Sequence, residues 1–482
     1  MLFNSIDFAL FLPLVFLLYW FVFNRNLKLQ NSFVLLSSYF FYAYWDWRFV
    51  SLIFVSTVVD YFVGLLLHKQ ERKRIRKALL VLSVTVNLGL LGFFKYYNFF
   101  VENFVSAFTL FGKDLEIATL NIILPVGISF YTFQTMSYTI DLFRREIKPT
   151  EDFVSFAAFV AFFPQLVAGP IERARNLLPQ FIQTRHFHYD KAIDGLRQVL
   201  WGLFKKMVIA DNCGLFVDDF FKNHSEYNGS TLMLGAFFFT VQIYCDFSGY
   251  SDIAIGTSRL FGFDLMKNFS FPYFSRNIKE FWRRWHISLT TWFKDYVYIP
   301  IGGSRGSKAI QIRNTLFIFV IIGFWHGAQW KFIVYGFING LHFLPGIISG
   351  RSEKFQNSVA HNRVFPNLKE SYGMIKTFLF LVLVRVFFRA NDLNEAVAYL
   401  SKIFSMSIFS IPNFGNRKEA MIVCALIFFF FLIEWFGRAN EYAIENMFLK
   451  SKPAYRWAFY YVIVFMLFYF VGEQQQFIYF QF

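Results

Sequence analysis

The chain has 482 residues, a formal net charge of +15 and 56% hydrophobic residues, and 72 of its residues are Phe. Charged residues make up only 16% of it, and its mean hydropathy is +0.42. A soluble globular protein usually has about 25% charged residues. Several apolar runs approach the roughly 20 residues that a helix needs to cross a bilayer. These totals exclude a soluble enzyme, a disordered chain and a disulfide scaffold, and they predict a polytopic membrane protein.

The basic residues lie in short loops between apolar segments. The positive-inside rule and anionic lipid headgroups account for that distribution, so nucleic acid is not an expected partner. The three cysteines, Cys213, Cys245 and Cys424, lie in or beside apolar segments without CxxC spacing, which argues against a disulfide framework or a metal site. Residues 2–23 lack a basic start and a small-residue cleavage site, so we expect this segment to be retained.

The apolar segments recur from one end of the chain to the other. In chain order they lie near residues 2–23, 32–47, 49–67, 78–98, 118–140, 153–168, 198–211, 231–258, 314–330, 331–349, 374–390, 420–437 and 455–472. By length, about ten or eleven of them should cross the membrane. We predict one membrane-embedded domain over residues 1–482, with N-terminal helices in 1–117, a core in 118–349 and C-terminal helices in 374–482.

The loop charges predict an orientation. Residues 68–77 hold six Lys and Arg side chains against Glu71, which is typical of a cytoplasmic loop. Counting back through three segments places the N-terminus outside. Counting forward places residues 99–117 outside, and that loop carries the acidic residues Glu102, Asp114 and Glu116.

Residues 267–313 combine basic and aromatic side chains, with only two acidic residues. Such mixtures suit the headgroup zone of a membrane. We predict a cytoplasmic interfacial or re-entrant element at 276–300, broken at 300–303. Re-entrant backbone is tolerated only where protein or a water-filled cavity surrounds it, so the element implies a cavity.

Three cations of this element are candidates for binding an anionic acyl donor. Arg283, Arg284 and Lys294 would attract phosphates or an acidic carrier protein to the cytoplasmic mouth of the cavity. The alternative is that they anchor the element to lipid headgroups.

His326 is the strongest candidate for a catalytic residue. It lies inside an apolar run, and a polar residue there is costly and often functional. A helix that enters at Asn314 would place it roughly 18 Å deep, near the bilayer middle. A neutral imidazole there can act as a general base, because burial favours the uncharged ring. A structural histidine bonded to a neighbouring helix is the alternative, and that alternative is stronger for His286.

The segment 244–252 places acids, hydroxyls and a thiol inside an apolar run. Asp246 is a candidate for binding the substrate or the donor, since it could orient a histidine or line a polar funnel, whereas a purely structural role would be the capping of a broken helix. Cys245 has no histidine beside it in sequence, so we do not expect it to be a nucleophile.

Several motifs resemble the membrane-bound O-acyltransferases, in particular the bacterial branch that acetylates alginate or transfers D-alanine to teichoic acids. They are FWRRWHISL at 281–289, WFKDYVYIPIGG at 292–303, FWHG at 324–327, LPVGISFYTFQ at 124–134, VAGPIER at 167–173 and the stretch 245–252. The resemblance implies an all-α, polytopic fold with re-entrant helices around a central funnel. It implies that His326 is catalytic, with His286 as the second recurring histidine. Trp325, which directly precedes His326, is a further candidate for binding the substrate or the donor.

The resemblance also implies a function. It suggests an O-acyltransferase, most simply an O-acetyltransferase, in a bacterial inner membrane, which passes an acyl group from acetyl-CoA or a carrier thioester toward an extracellular polysaccharide. A periplasmic acetyltransferase resembling SGNH hydrolases is the expected protein partner, and neither a tightly bound cofactor nor a metal is expected. The alternative is a transporter or non-catalytic acyl conduit. The lack of an inverted repeat and the one-sided aromatic-basic segment favour the enzyme.

Overall fold

The computed structural model describes residues 1–110, 119–167, 169–350 and 357–471, together with Phe355, Gln475, Phe477 and Ile478. Within the described residues every regular element is a helix, which confirms the all-α class. These residues form two compact units, one of residues 1–195 with 254–266 and one of residues 196–253 with 267–482. The single domain with its three blocks stays a prediction.

Among the described residues, nine α-helices of the first unit precede its boundary at residue 195. They are α1 (Ile6–Leu17), α2 (Leu27–Asp46), α3 (Val50–Lys69), α4 (Lys73–Leu91), α5 (Tyr97–Leu110), α6 (Ile128–Phe143), α7 (Phe153–Val160), α8 (Phe163–Leu166) and α9 (Ala174–Ile182).

The predicted segment 118–140 begins too early. Residues 119–125 are not helical, and α6 starts only at Ile128. Gly127 precedes it with φ 75°, a left-handed conformation that glycine adopts without strain. A Cβ atom at Gly127 would lie 2.6 Å from the carbonyl oxygen of Leu166. The turn and this close approach therefore delay the helix, which an apolar run alone does not reveal.

The basic segment 68–77 is mostly helical, and only residues 70–72 lie outside α3 and α4. Arg76 is buried, and its guanidinium donates to the carbonyl oxygens of Leu67 and of Phe143, the latter at 2.9 Å. These carbonyls lie at the C-terminal ends of α3 and α6, where backbone acceptors lack helical partners. Arg76 therefore joins two helix ends, while the neighbouring basic residues remain exposed.

The second unit contains the remaining helices. They are α10 (Tyr189–Leu203, which begins in the first unit), α11 (Asp211–Lys222), α12 (Gly229–Leu260, which ends in the first unit), α13 (Ile278–Arg284), α14 (Ile287–Phe293), α15 (Lys308–His326), α16 (Trp330–Ser349), α17 (Leu368–Val384), α18 (Val386–Arg389), α19 (Leu393–Ile403), α20 (Arg417–Gly437) and α21 (Pro453–Tyr469).

Seven helical segments of the described chain are long and apolar enough to cross a membrane. They are Leu27–Lys69, Lys73–Thr109, Gly229–Leu260, Lys308–His326, Trp330–Ser349, Leu368–Arg389 and Arg417–Gly437. The first two are continuous runs of 43 and 37 residues. The first covers the two predicted segments 32–47 and 49–67, whereas the second covers 78–98 and continues as helix into the predicted loop 99–117. Shorter apolar helices lie at Ile6–Val22 and Phe153–Leu166. These features confirm a polytopic membrane protein.

The element predicted at 276–300 consists of two seven-residue helices, α13 and α14, followed by a π-helical turn at Lys294–Tyr298. Each short helix is only about 10 Å long, so neither can span a bilayer. A second break, between α13 and α14, was not predicted.

Helices α15 and α16 approach each other closely. A Cβ atom at Gly323 would lie 2.2 Å from the carbonyl oxygen of Phe332, and one at Gly336 would lie 2.2 Å from that of Phe319. Small residues at such contacts let membrane helices pack backbone against backbone. This crossing positions the C-terminal end of α15, where His326 lies.

Candidate active site

His286 occupies the break between α13 and α14. Its backbone is left-handed, with φ 44° and ψ 55°, a conformation that costs free energy in a residue other than glycine and that surrounding structure must enforce. The amide of Ile287 donates to the carbonyl oxygen of Asn268 at 2.9 Å, and this bond holds the turn. The side chain of His286 is buried, so the break presents an imidazole to the interior.

A buried amide fixes the orientation of that imidazole. The Nδ1 atom of His286 lies 3.0 Å from Oδ1 of Asn268, which also accepts from the hydroxyl of Ser288 at 2.9 Å. The Asn268 amide nitrogen donates to Ser251 Oγ at 3.0 Å. Because an amide oxygen only accepts, Nδ1 carries the proton, and Nε2 keeps its lone pair in the neutral ring. Burial lowers the pKa of His286 well below its usual value, and the nearby His326 lowers this pKa further.

His326 is the last residue of α15 and is 5% exposed. The helix begins at Lys308 rather than at Asn314, so His326 lies about 27 Å along the axis from the helix start. The depth of His326 in the bilayer stays a prediction. The His326 ring lies 5.2 Å from the Phe388 ring and 6.4 Å from the Tyr335 ring. Aromatic side chains of α16 and α18 thus define its surroundings.

Trp325 lies between the two histidines. Its ring centre is 6.2 Å from that of His286 and 5.0 Å from that of His326. Phe247 contacts the other side of His286 with an edge-on ring at 4.6 Å. The structure therefore brings His286 close to Trp325 and His326, which belong to a different sequence motif.

Asp246 has other neighbours. Its carboxylate forms a 2.7 Å ion pair with Lys206 and accepts from the amide of Ile478 at 2.8 Å. Lys206 also pairs with Asp211 at 2.8 Å. The orienting partner of His286 is thus Asn268 rather than Asp246. A substrate- or donor-binding role for Asp246 stays a prediction.

A polar cavity of about 500 Å³ lies beside the α13–α14 break. Its lining side chains are mostly basic or polar: Lys267, Ser270, Arg283, Arg284, Asn357, Ser358, His361, Arg438, Asn440 and Glu441, with Ile287, Phe355 and Ala439. Four Lys and Arg side chains face a single carboxylate, that of Glu441. The volume falls within the range of small-molecule sites, and the charge suits an anionic ligand.

The three cations that were predicted to bind the acyl donor lie in different surroundings. Arg283 is exposed and lines the cavity. Arg284 also lines it but forms a 2.9 Å ion pair with Glu280, which pairs with Arg276 at the same distance. Lys294 is exposed and is not among the lining residues. The structure therefore groups Arg283 and Arg284 and separates Lys294 from them.

The sequence did not reveal two further cations of the cavity. Lys267 donates to the carbonyl oxygen of Asn440 at 2.9 Å, and burial lowers its pKa. Arg438 donates to the carbonyl oxygens of Val359 and Ala360 at 2.9 and 3.0 Å. Lys267 belonged to the aromatic-basic segment and could have been selected from it. Arg438 follows α20 in a stretch with no motif, so only the fold assigns it to the cavity.

The cavity adjoins the histidine through the chain itself. Ile287 lines the cavity and directly follows His286. Lys267 lines it too and directly precedes Asn268, the partner of His286. An anionic molecule in the cavity would therefore contact the residues on either side of the buried hydrogen-bonded pair. Among the described residues, no group of three His, Cys, Asp or Glu side chains is arranged to hold a metal ion.

The fold and the site define a class of protein: a polytopic helical membrane protein with two buried histidines beside a cationic cavity. The family model described as MBOAT, membrane-bound O-acyltransferase family, matches residues 34–364. The chain belongs to this family and is a multi-pass membrane acyltransferase.

Named relatives cover most of the chain. It is 38% identical over 455 residues to "Probable alginate O-acetylase AlgI" of Pseudomonas aeruginosa, covering 94% of this chain and 84% of that protein. It is 34% identical over 486 residues to "Peptidoglycan O-acetyltransferase" of Helicobacter pylori, covering 95% and 87%. A weaker similarity of 28% over 231 residues, covering 45% of this chain and 57% of the relative, joins it to "Teichoic acid D-alanyltransferase" of Bacillus subtilis.

Proposed function

We propose that this protein is an O-acetyltransferase that moves an acetyl group from a cytoplasmic thioester to a hydroxyl of a polysaccharide outside the cytoplasm. The observation that carries the proposal is the placement of two buried histidines around Trp325, next to the cationic cavity. The names of the relatives suggest alginate or peptidoglycan as the acceptor. Acetyl-CoA or an acyl carrier thioester is the donor.

His326 is the proposed general base. An alcohol is a poor nucleophile at neutral pH, and a positioned base accelerates its attack by about 10²–10⁴-fold. In its neutral form the imidazole of His326 can accept the hydroxyl proton. His286 is the supporting residue, because Asn268 holds it and the cavity adjoins it.

The cationic cavity is the proposed site for the phosphate-bearing part of the donor. Phosphate groups and Arg side chains form strong charge-assisted hydrogen bonds. A pantetheine arm anchored there by its phosphate would extend past Ile287 toward the histidines. Lys267 and Arg438 thus join Arg283 and Arg284 as donor-binding residues.

The relatives and the loop charges support a proposed setting for the reaction. We place the protein in a bacterial inner membrane, with residues 68–77 and the cavity side of 276–313 facing the cytoplasm. A periplasmic acetyltransferase resembling SGNH hydrolases is the proposed partner, either as the direct acceptor of the acetyl group or as a relay to the polymer.

Sealed vesicles test the proposed function. The full chain is reconstituted in proteoliposomes with radiolabelled acetyl-CoA outside and de-O-acetylated mannuronate oligosaccharides or peptidoglycan fragments inside. We expect sugar acetyl esters in the lumen and free CoA thiol outside. Intact acetyl-CoA in the lumen without ester formation would establish the conduit alternative. No ester on either glycan, and no acetyl group on a purified SGNH-hydrolase-like partner added to the lumen, would contradict the proposed reaction.

Substitutions in the cavity should weaken donor binding without changing the chemical step. We expect Arg283→Glu and Lys267→Met each to raise the KM for acetyl-CoA by about 10-fold. Each substitution removes a charge-assisted hydrogen bond, which typically contributes about 1.5–3 kcal/mol. The kcat should change little, because these residues bind the part of the donor that does not react. Steady-state rates at varied acetyl-CoA measure both constants.

Arg305→Glu is the matched control for these cavity variants. Arg305 is exposed in the same basic segment but does not line the cavity, so its KM should equal that of the wild type. Equal effects of Arg283→Glu and Arg305→Glu would mean that the segment acts through general charge alone. Unchanged KM values in both cavity variants would remove the donor from this cavity.

A further inference from the structure

Arg385 is a fully buried guanidinium at an interruption of a helix. It lies between α17 and α18, inside the apolar segment Leu368–Arg389, and is 1% exposed. Within the described part of the chain it forms no ion pair with a carboxylate. A charge in such a segment is costly and is usually paired or functional. Because the described residues supply no carboxylate for this buried charge, we expect a group of a bound molecule to interact with it.

Only one edge of the guanidinium is occupied. Nη1 donates to the hydroxyl of Tyr273, and the group stacks over the Trp285 ring at 4.5 Å. The hydroxyl of Tyr335 lies near it. Nε and Nη2 have no hydrogen-bond partner among the described residues. These two nitrogens share an edge of the planar group, so their N–H bonds form a fork toward one point.

That open fork lies in the neighbourhood of His326. The Tyr335 ring, whose hydroxyl lies near the guanidinium, is 6.4 Å from the His326 ring. The Phe388 ring is 5.2 Å from His326, and its amide donates to the carbonyl oxygen of Arg385 at 2.9 Å. Two different helices therefore bring Arg385 and His326 to the same part of the second unit.

We propose that Arg385 binds the carbonyl oxygen of the acyl thioester through Nε and Nη2 and stabilises the oxyanion that forms during transfer. The inference rests on the proposed function and names the residue that receives the developing negative charge. A fixed donor pair in a water-poor site stabilises such a charge far more than water-exposed donors do.

The step balances with the residues already assigned. His326 takes the proton of the acceptor hydroxyl, and the hydroxyl oxygen bonds to the thioester carbon. The C=O π electrons move to the oxygen held by Arg385. When the carbonyl re-forms, the C–S bond breaks, and the departing thiolate takes the proton from His326. The products are the acetyl ester and the free thiol, and both protein groups return to their starting states.

The surroundings of Arg385 favour a carbonyl oxygen over a phosphate. The guanidinium is enclosed by the rings of Tyr273, Phe281 and Trp285, at 5.0, 5.6 and 4.5 Å. Bringing a phosphate dianion into such an enclosure carries a large desolvation cost. A thioester carbonyl enters uncharged and acquires its charge only during the reaction.

Two substitutions test the role of the fork. Arg385→Met keeps the length of the side chain, and Arg385→Lys keeps the charge but not the paired donors. We expect Arg385→Met to lower kcat for acetyl transfer from acetyl-CoA by about 10²–10³-fold, the usual loss of an oxyanion donor. Arg385→Lys should lower it by at least about 10-fold. The KM for acetyl-CoA should stay within about 3-fold of the wild type, because the contact with the neutral carbonyl is weak and strengthens as the oxyanion forms.

Arg389→Met is the matched control. Arg389 lies one turn further along, and its guanidinium pairs with the exposed Asp218 at 2.6 Å, so this variant should keep the wild-type kcat. Thermal unfolding in detergent identifies a variant that fails to fold. If Arg385→Met does not fold, the kcat of Arg385→Lys tests the proposal in its place. Added guanidinium ion should partly restore kcat in Arg385→Ala, which a merely structural arginine would not predict.

The outcomes separate this inference from the proposed function. A folded Arg385 variant with wild-type kcat, in an assay where His326→Ala is inactive, would overturn the role of Arg385 alone. A raised KM with unchanged kcat, or no rescue by guanidinium ion, would overturn it as well. A wild-type protein that transfers no acetyl group would overturn both.

Discussion

His326→Ala should lower acetyl transfer by about 10²–10⁴-fold while the protein still inserts and folds. The acceptor hydroxyl loses the group that takes its proton. His286 cannot replace it, because Asn268 and the α13–α14 break hold that ring in place. Initial rates of ester formation in the sealed vesicles measure the effect, with donor KM recorded alongside.

His342→Ala provides the matched control for this substitution. His342 lies on α16 and stacks on Phe380 with ring centres 4.0 Å apart, away from the ring contacts that surround His326. We expect its kcat to match the wild type. A folded His326→Ala protein that transfers acetyl groups at the rate of His342→Ala would remove His326 from the reaction.

Lys206→Met should cause the largest loss of stability among the polar residues of the second unit. Lys206 is 1% exposed and is the shared partner of Asp211 and Asp246, at 2.8 and 2.7 Å. Its removal leaves two buried carboxylates without their cation. Breaking a buried pair in this way costs about 3–5 kcal/mol. The midpoint of thermal unfolding in detergent should fall markedly.

An exposed pair calibrates that prediction. Lys191 pairs with Asp264 at 2.9 Å, with side chains 51% and 60% exposed, and such surface pairs contribute at most about 1 kcal/mol. Lys191→Met should therefore leave the midpoint nearly unchanged. Comparable shifts in the two variants would mean that the Lys206 cluster is not a buried network in the folded protein.

Hydropathy and charge predicted the fold class well, because membrane helices must be long and apolar whatever their neighbours. The non-spanning character of 276–300 was also predictable, since its mixture of basic and aromatic residues cannot enter hydrocarbon. Helix starts were harder to predict. The late start of α6 depends on the left-handed Gly127 and its approach to Leu166, and no apolar run records such a contact.

The same limit applies to the site. Local motifs predicted His326, His286 and Trp325. The fold places the Trp325 ring 6.2 Å from the His286 ring and 5.0 Å from the His326 ring. Asn268 and Arg385 were not selected for their present roles, because each acts through a contact with a residue distant in sequence. In the sequence Arg385 is recognisable only as a cation within the apolar segment 374–390, and the sequence does not specify its neighbours.

Direct transfer, with no covalent acyl-enzyme, is the central claim of this mechanism. A single turnover with acetyl-CoA labelled in the acetyl group, stopped with acid at successive times, tests it most directly. The buried Cys245 is the thiol nearest to the site motifs in sequence and the first position to examine for label. We predict that donor loss and sugar ester formation proceed at one rate, with no label on the denatured protein at any time. Label that appears on the chain before the sugar ester and then decays into it would contradict direct transfer.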